Sequence, residues 1–150
     1  MPSCAAGPIR PEAGSGLFLL ALFSLSAHAA DFNPVDALSQ RSKLPASEVS
    51  ALLADCDANQ TSTNFCSWRD QLVAEHDLQV LVDEKGAASS ACKSSLDAEI
   101  SAWRKRRDTS CEKTAQKQYA GGSILPAAKA ICATAETRRM IKKVRVKKCP

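Results

Sequence analysis

The sequence predicts an all-α protein, a small disulfide-stapled antiparallel helical bundle built on a long helical hairpin. Three observations carry that prediction. Residues that favour strands are few, alanines are abundant, and Gly and Pro cluster between periodic segments. Cys92, Leu96, Ile100, Trp103, Arg107 and Cys111 recur at steps of four, four, three, four and four, a single stripe along one helix face. Gly121-Gly122 then interrupts a rod that would otherwise run on.

Taken from the start, residues 1–29 carry the marks of a secretory signal peptide: Arg10, an apolar run from Leu17 to Leu25, and Ala27-His28-Ala29 as a small-x-small cleavage site. The run is too short for a stable membrane span, so no transmembrane anchor is expected. Residues 30–50 are expected to form an N-terminal extension and residues 51–150 the helical domain proper. Within the extension, Asn33-Pro34 has the form of an N-cap followed by Pro at the first helical position, opening a short helix or turn. A second short piece starts at Ser47-Glu48, presents Val49, Leu52 and Leu53 on one face, and ends near Cys56.

Asp57 to Asn64 is polar throughout and is expected to be a loop. Phe65, Trp68, Leu72, Leu78, Leu81 and Val82 suit a helix to about Lys85, with Gly86 placed to end it by a left-handed cap. The next helix is expected from near Ser90 to near Tyr119, roughly 45 Å long at about 1.5 Å per residue. Ser123 is positioned to cap the last helix, with Pro126 in its first turn and Ile124, Ala128, Ile131, Ala135, Ile141 and Val144 as its apolar side. Val144-Arg145-Val146 alternates as a strand would, so an extended final turn is the alternative to a helical one.

Cys4 falls inside the signal peptide, which leaves six cysteines in a chain routed to an oxidising compartment. An even set in that setting reads as a disulfide framework. Metal ligation has little to work with, because there is no C-x-x-C pair and His76 is the only histidine after His28. Cys111 lies ten residues before Gly121 and Cys132 ten after Gly122, so a hairpin turning at the glycines brings them to one level. Moving away from the turn, Cys92 is 19 residues beyond Cys111 and Cys149 is 17 beyond Cys132. At about 1.5 Å per residue these are displacements of roughly 28 and 25 Å, so the second pair meets at the open end. Cys56 and Cys66 remain to flank the polar loop.

The block Trp103, Arg107-Asp108, Cys111, then Tyr119, Gly121-Gly122-Ser123-Ile124, Pro126, Cys132 and Thr137-Arg138 resembles the LprI-type lysozyme inhibitor family. That family joins a W-x-x-x-R-D-x-x-C helix to a Y-x-G-G-S-I-x-P loop and a second cysteine. The resemblance implies a secreted or periplasmic helical domain that binds and blocks lysozyme. The chain departs from the pattern at Ile100, where Gln is usual, at Met140, where Arg is expected, and in Leu78-Gln79-Val80-Leu81, where an aromatic is expected. Cys92 and Cys149 are additional to the four-cysteine pattern.

Candidate partner-binding residues are Tyr119, Gly121, Gly122 and Ser123 at the hairpin tip, together with Arg107 and Asp108. An inhibitor need only occlude a cleft that holds a carboxylate pair, supplying hydrogen-bond donors on a protrusion of the right shape. Equally, the glycines could serve only to turn the chain, Ser123 only to cap, and Arg107-Asp108 only to build a local network with a neighbouring helix. Trp103 lies on the apolar stripe and is expected in the core.

Charge is split along the chain, with five Lys/Arg against twelve Asp/Glu from residue 31 to 100 and fourteen against three from 101 to 150. Asp55, Asp57, Asp70, Glu75, Asp77, Asp83 and Glu84 could steer a cationic enzyme toward the protein. The run Arg138, Arg139, Lys142, Lys143, Arg145, Lys147 and Lys148 offers a rival function, binding of anionic envelope polymers or lipid headgroups. Export and the absence of interleaved aromatic residues argue against nucleic acid. An enzyme is the least supported class, since no nucleophile has an evident base and no motif calls for a cofactor.

Overall fold

A computed structural model describes residues 31–87 and 89–149; the expected signal peptide lies outside them. Five helices follow one another: α1 (Pro34–Ser42), α2 (Ala46–Ala54), α3 (Gln60–Gly86), α4 (Ser90–Tyr119) and α5 (Leu125–Val146), and the described residues contain no strand. The three long helices form a bundle, with α4 antiparallel to α3 and α5. Asn64 near the start of α3 reaches Ser123 just before α5, and Lys85 near the end of α3 reaches Lys147 just after it, so α3 and α5 run parallel. α1 and α2 pack against each other and on α3.

Local sequence explains most boundaries. Asn33 caps α1 by accepting from the Val35 N–H at 2.9 Å, with Pro34 at the first helical position. Ser89 likewise caps α4 through the Cys92 N–H. The polar stretch expected as a loop is shorter than predicted, because Asn59 caps α3 through the Ser62 N–H and Gln60 donates to Asn64 one turn on. Residues 60–64 are therefore helical.

Two other expectations are corrected. Gly86 is the last residue of α3 and is not in the left-handed region; it is small because an added Cβ would lie 2.7 Å from Cβ of Lys93. Ser123 makes no side-chain cap: the N-cap of α5 is Ile124, and Ser123 contributes its carbonyl to Asn64 instead. Of the two endings the sequence leaves open, the final turn through Val146 takes the helical one.

The core has two parts. Leu78 and Val82 from α3, Cys92, Leu96 and Ile100 from α4, and Met140 and Val144 from α5 form one cluster toward the open end. Leu38, Val49 and Leu72 form the other, under α1 and α2, joined by Phe65 and Trp68 at its edge. The α4 stripe is buried as predicted at Cys92, Leu96, Ile100, Arg107 and Cys111, while Trp103 is half-buried. α5 turns a different face inward. Ala127, Ala130, Ala133, Thr134, Thr137, Met140 and Val144 are buried, whereas Ala135 is exposed and Ile131 is 58% exposed. Small side chains allow α5 to lie close along α3, its most extensive neighbour, and this packing overrides the pull of the isoleucines.

Disulfides join Cys56 to Cys66, Cys92 to Cys149 and Cys111 to Cys132, the pairing that helical rise and the glycine turn predict. Their Cα–Cα distances are 5.8, 5.6 and 5.6 Å, within the range a bridge requires.

Candidate functional site

The hairpin tip is built by two successive residues in the left-handed region, Ala120 (φ 47°) and Gly121 (φ 85°). Ala120 closes α4 through its N–H to the Gln116 carbonyl, 2.9 Å away. Gly122 N–H then donates to the Tyr119 carbonyl and Leu125 N–H to the Gly122 carbonyl, each at 2.9 Å. A positive φ is natural for Gly121 and costs a β-carbon residue such as Ala120 about 1 kcal/mol, so the turn is bent against a modest penalty.

Gly121, Gly122 and Ser123 are exposed, and Tyr119 is 37% exposed. Around them the support is firm. Asn64 Nδ2 donates to the Ser123 carbonyl at 3.1 Å, tying the tip to α3, and Pro126 stiffens the first turn of α5. Below the tip stand the Cys111–Cys132 bridge and the ion pair between Lys129 and Glu112, which holds the Glu112 carboxyl below its ordinary value. The N–H groups of Gly121, Ser123 and Ile124 donate to no acceptor among the described residues. Backbone donors at an exposed, braced turn suit an anionic partner group.

Arg107 and Asp108 stand apart from this tip, about 18 Å along α4 from Tyr119 at about 1.5 Å per residue. Arg107 is buried at 5% exposure, and each of its three guanidinium nitrogens is hydrogen-bonded. One terminal nitrogen reaches Glu75 of α3 at 2.7 Å, the other reaches the Thr137 hydroxyl of α5 at 2.8 Å, and Nε reaches Asp108 at 2.8 Å. The guanidinium also lies 5.1 Å from the Trp103 ring centroid, a cation–π distance. Arg107 thus joins all three long helices, and only the Asp108 carboxylate of the pair faces solvent.

Two grooves were not visible in the sequence. One, of about 410 Å³, opens beside the tip between Asn64, Phe65 and Trp68 of α3 and Pro126, Lys129 and Ala130 of α5. Phe65 and Trp68 meet edge to face there at 6.0 Å. The other, of about 390 Å³, lies between α1, α3 and α4 and contains Arg41, Arg104 and the Arg107–Glu75–Asp108 cluster. Each draws on helices far apart in sequence, which one-dimensional periodicity does not reveal.

Of the basic run on α5, Lys143 and Lys147 pair with Glu99 of α4 and Arg139 pairs with Glu136. Glu99 is held below the ordinary carboxyl range by those hydrogen bonds, first from Lys147 and then from Lys143. Arg138, Lys142, Arg145 and Lys148 are exposed and make no ion pair among the described residues. On α3, Asp83 is held below its ordinary value chiefly by its hydrogen bond from Lys93. No group of His, Cys, Asp and Glu among the described residues could hold a metal ion, and no described helix is long and apolar enough to cross a membrane.

The geometry defines a disulfide-stapled all-helical domain that presents a braced, exposed turn. Residues 56–144, from the first bridged cysteine to the end of the core face of α5, match the family described as lysozyme inhibitor LprI, and the chain belongs to that family. Comparison with curated proteins and with solved structures gives no match. The matched region holds α3, α4 and nearly all of α5; α1 and α2 precede it.

Proposed function

We propose that the protein is an exported inhibitor that blocks lysozyme by seating its hairpin tip in the active-site cleft. The observation that carries this is the tip itself, an exposed turn with three uncommitted backbone N–H groups, braced by a disulfide, a proline and the Asn64 hydrogen bond. A glycosidase cleft holds a carboxylate pair and an open groove, so neutral donors on a rigid protrusion fit it. Pre-organisation matters because a turn already held in shape loses little entropy on binding.

Arg107 acts in this reading as a positioning residue, locking α4 to α3 and α5 so that the tip keeps its orientation. Exposed Asp55, Asp57, Asp70, Asp77 and Glu84 favour approach of a cationic enzyme and make the association rate fall with ionic strength. Export is supported by the pairing of all six described cysteines, which suits an oxidising compartment such as the periplasm or the extracellular space.

The test is a lysozyme turnover assay with the oxidised protein, its reduced form serving as control. Oxidised protein is expected to inhibit, and the exposed substitution Ser123→Trp to weaken inhibition about ten-fold or more, the equivalent of about 1.4 kcal/mol. Unchanged inhibition by the variant would remove the tip from the contact.

A second reading draws on the cationic strip Arg138, Lys142, Arg145 and Lys148. Neutralising these four is expected to abolish retention on an anionic polymer or vesicle if the strip binds one, while lysozyme inhibition is unaffected.

A further inference from the structure

The groove between α1, α3 and α4 carries an unspent pair of guanidinium groups. Arg104 Nε is buried and has no hydrogen-bond partner among the described residues. Its Nη2 touches Gln79 only at 3.5 Å, the limit of a hydrogen bond. Leaving a buried donor unpaired forfeits its hydration with nothing in exchange, which a fold does not bear without some return. Arg41, on α1, lines the same groove, is exposed, and makes no ion pair or side-chain hydrogen bond among the described residues. Arg107 differs from both, being saturated by Glu75, Asp108 and Thr137.

We infer that this groove binds a small organic monocarboxylate, held between Arg104 and Arg41. Two guanidinium groups are the natural receptor for a planar two-oxygen anion, because each offers parallel N–H donors. Charge selects among anions. Arg41, Arg104 and Arg107 contribute three positive charges, and Glu75 and Asp108 two negative ones, so a single negative charge balances the groove and a phosphate dianion overshoots it. The stacked rings of Phe32 and His76, 4.2 Å apart, form one wall and offer a flat surface for an amide or methyl group beside the carboxylate. A volume of about 390 Å³ accommodates a ligand of that size. The site is independent of the tip, since Arg104 lies about 22 Å along α4 from Tyr119 at about 1.5 Å per residue.

The probe is N-acetylglycine, titrated into the full oxidised protein while the Nε–H resonances of the arginines are followed by NMR. Saturable displacement of the Arg104 signal is expected, with no response to the neutral N-acetylglycine amide and weaker binding of inorganic phosphate. Arg104→Gln and Arg41→Gln are each expected to weaken binding about ten-fold or more. The second variant lies at an exposed position and keeps the test open if the first fails to fold. An Arg104 signal that does not saturate, an equal response to the neutral amide, tighter binding of phosphate, or unchanged binding by Arg41→Gln would each overturn the assignment.

Discussion

At the glycine end of the α4–α5 hairpin, backbone donors are left over; at the open end, covalent and ionic ties close the chain. The tip has exposed glycines, no formal charge between residues 118 and 128, and three backbone N–H groups without acceptors among the described residues. The open end is closed by the Cys92–Cys149 bridge, by Glu99 gripping Lys143 and Lys147, and by Lys85 donating to the Lys147 carbonyl at 2.8 Å. The departures from the LprI pattern also gather there. Ile100, Met140, Leu78, Leu81, Cys92 and Cys149 all belong to one apolar cluster. Ile100 and Met140, at positions where a polar residue was expected, have thus become core packing, and the two added cysteines close that end covalently. One end is tied by bridge and ion pairs, and the other carries the turn proposed to meet the partner.

Removing each bridge in turn separates these roles. The Cys92–Cys149 bridge closes the longer loop, spanning 57 residues against 21 for Cys111–Cys132. By loop-closure entropy, the double alanine variant at the open end loses about 4 kcal/mol and the one at the tip about 3 kcal/mol. Chemical denaturation should follow that order, while inhibition of lysozyme should follow the reverse, weakening several-fold only when Cys111 and Cys132 are replaced. Inhibition that tracks stability in both variants would erase the distinction between the ends.

A smaller effect is expected at the junction of α3 and α4. Gly86→Ala gains a little helix propensity but drives a methyl group onto Cβ and Cα of Lys93, at 2.7 and 3.2 Å, neither of which can swing away. Overpacking wins, and a loss of about 1–2 kcal/mol is expected in thermal or denaturant unfolding. A neutral or stabilising result would mean that the helices separate freely at the open end.

The smallest effect is a pH dependence. Lys147 and Lys143 lower the folded-state pKa of Glu99 below its unfolded value, so the stabilisation is full above the ordinary carboxyl range and is lost as pH falls through the folded value. Because the pair is partly exposed, about 0.5 kcal/mol is expected. Glu99→Gln should be less stable than the parent at neutral pH and converge with it in acid, whereas a constant difference at all pH values would assign the effect to packing.

Much of this architecture was legible one residue at a time. Steps of three and four from Cys92 to Cys111 define one face of α4, and constant helical rise converts the cysteine spacings into bridge levels. The face of α5 was not legible, because Ile131 outweighs Ala127, Ala130 and Ala133 on any hydrophobic scale, yet close approach to α3 selects the alanines. Arg107 sits on the apolar stripe for a reason that resides in three other helix positions, Glu75, Asp108 and Thr137. Gly86 has the position of a helix terminator and acts as a spacer. Ser123 has the composition of a cap and supplies a carbonyl. In each case the deciding contact comes from another helix. At the tip, the residues at issue were all visible, but their exposure and the spare donors depend on how Asn64, Pro126 and the bridge hold the turn.

The most direct test is backbone amide NMR of the oxidised, isotope-labelled protein titrated with lysozyme. The amides of residues 119–124 are expected to shift or broaden, with those of Lys85, Glu99 and Lys147 unmoved. Perturbation confined to the open end or to the cationic strip of α5, with residues 119–124 silent, would contradict the account.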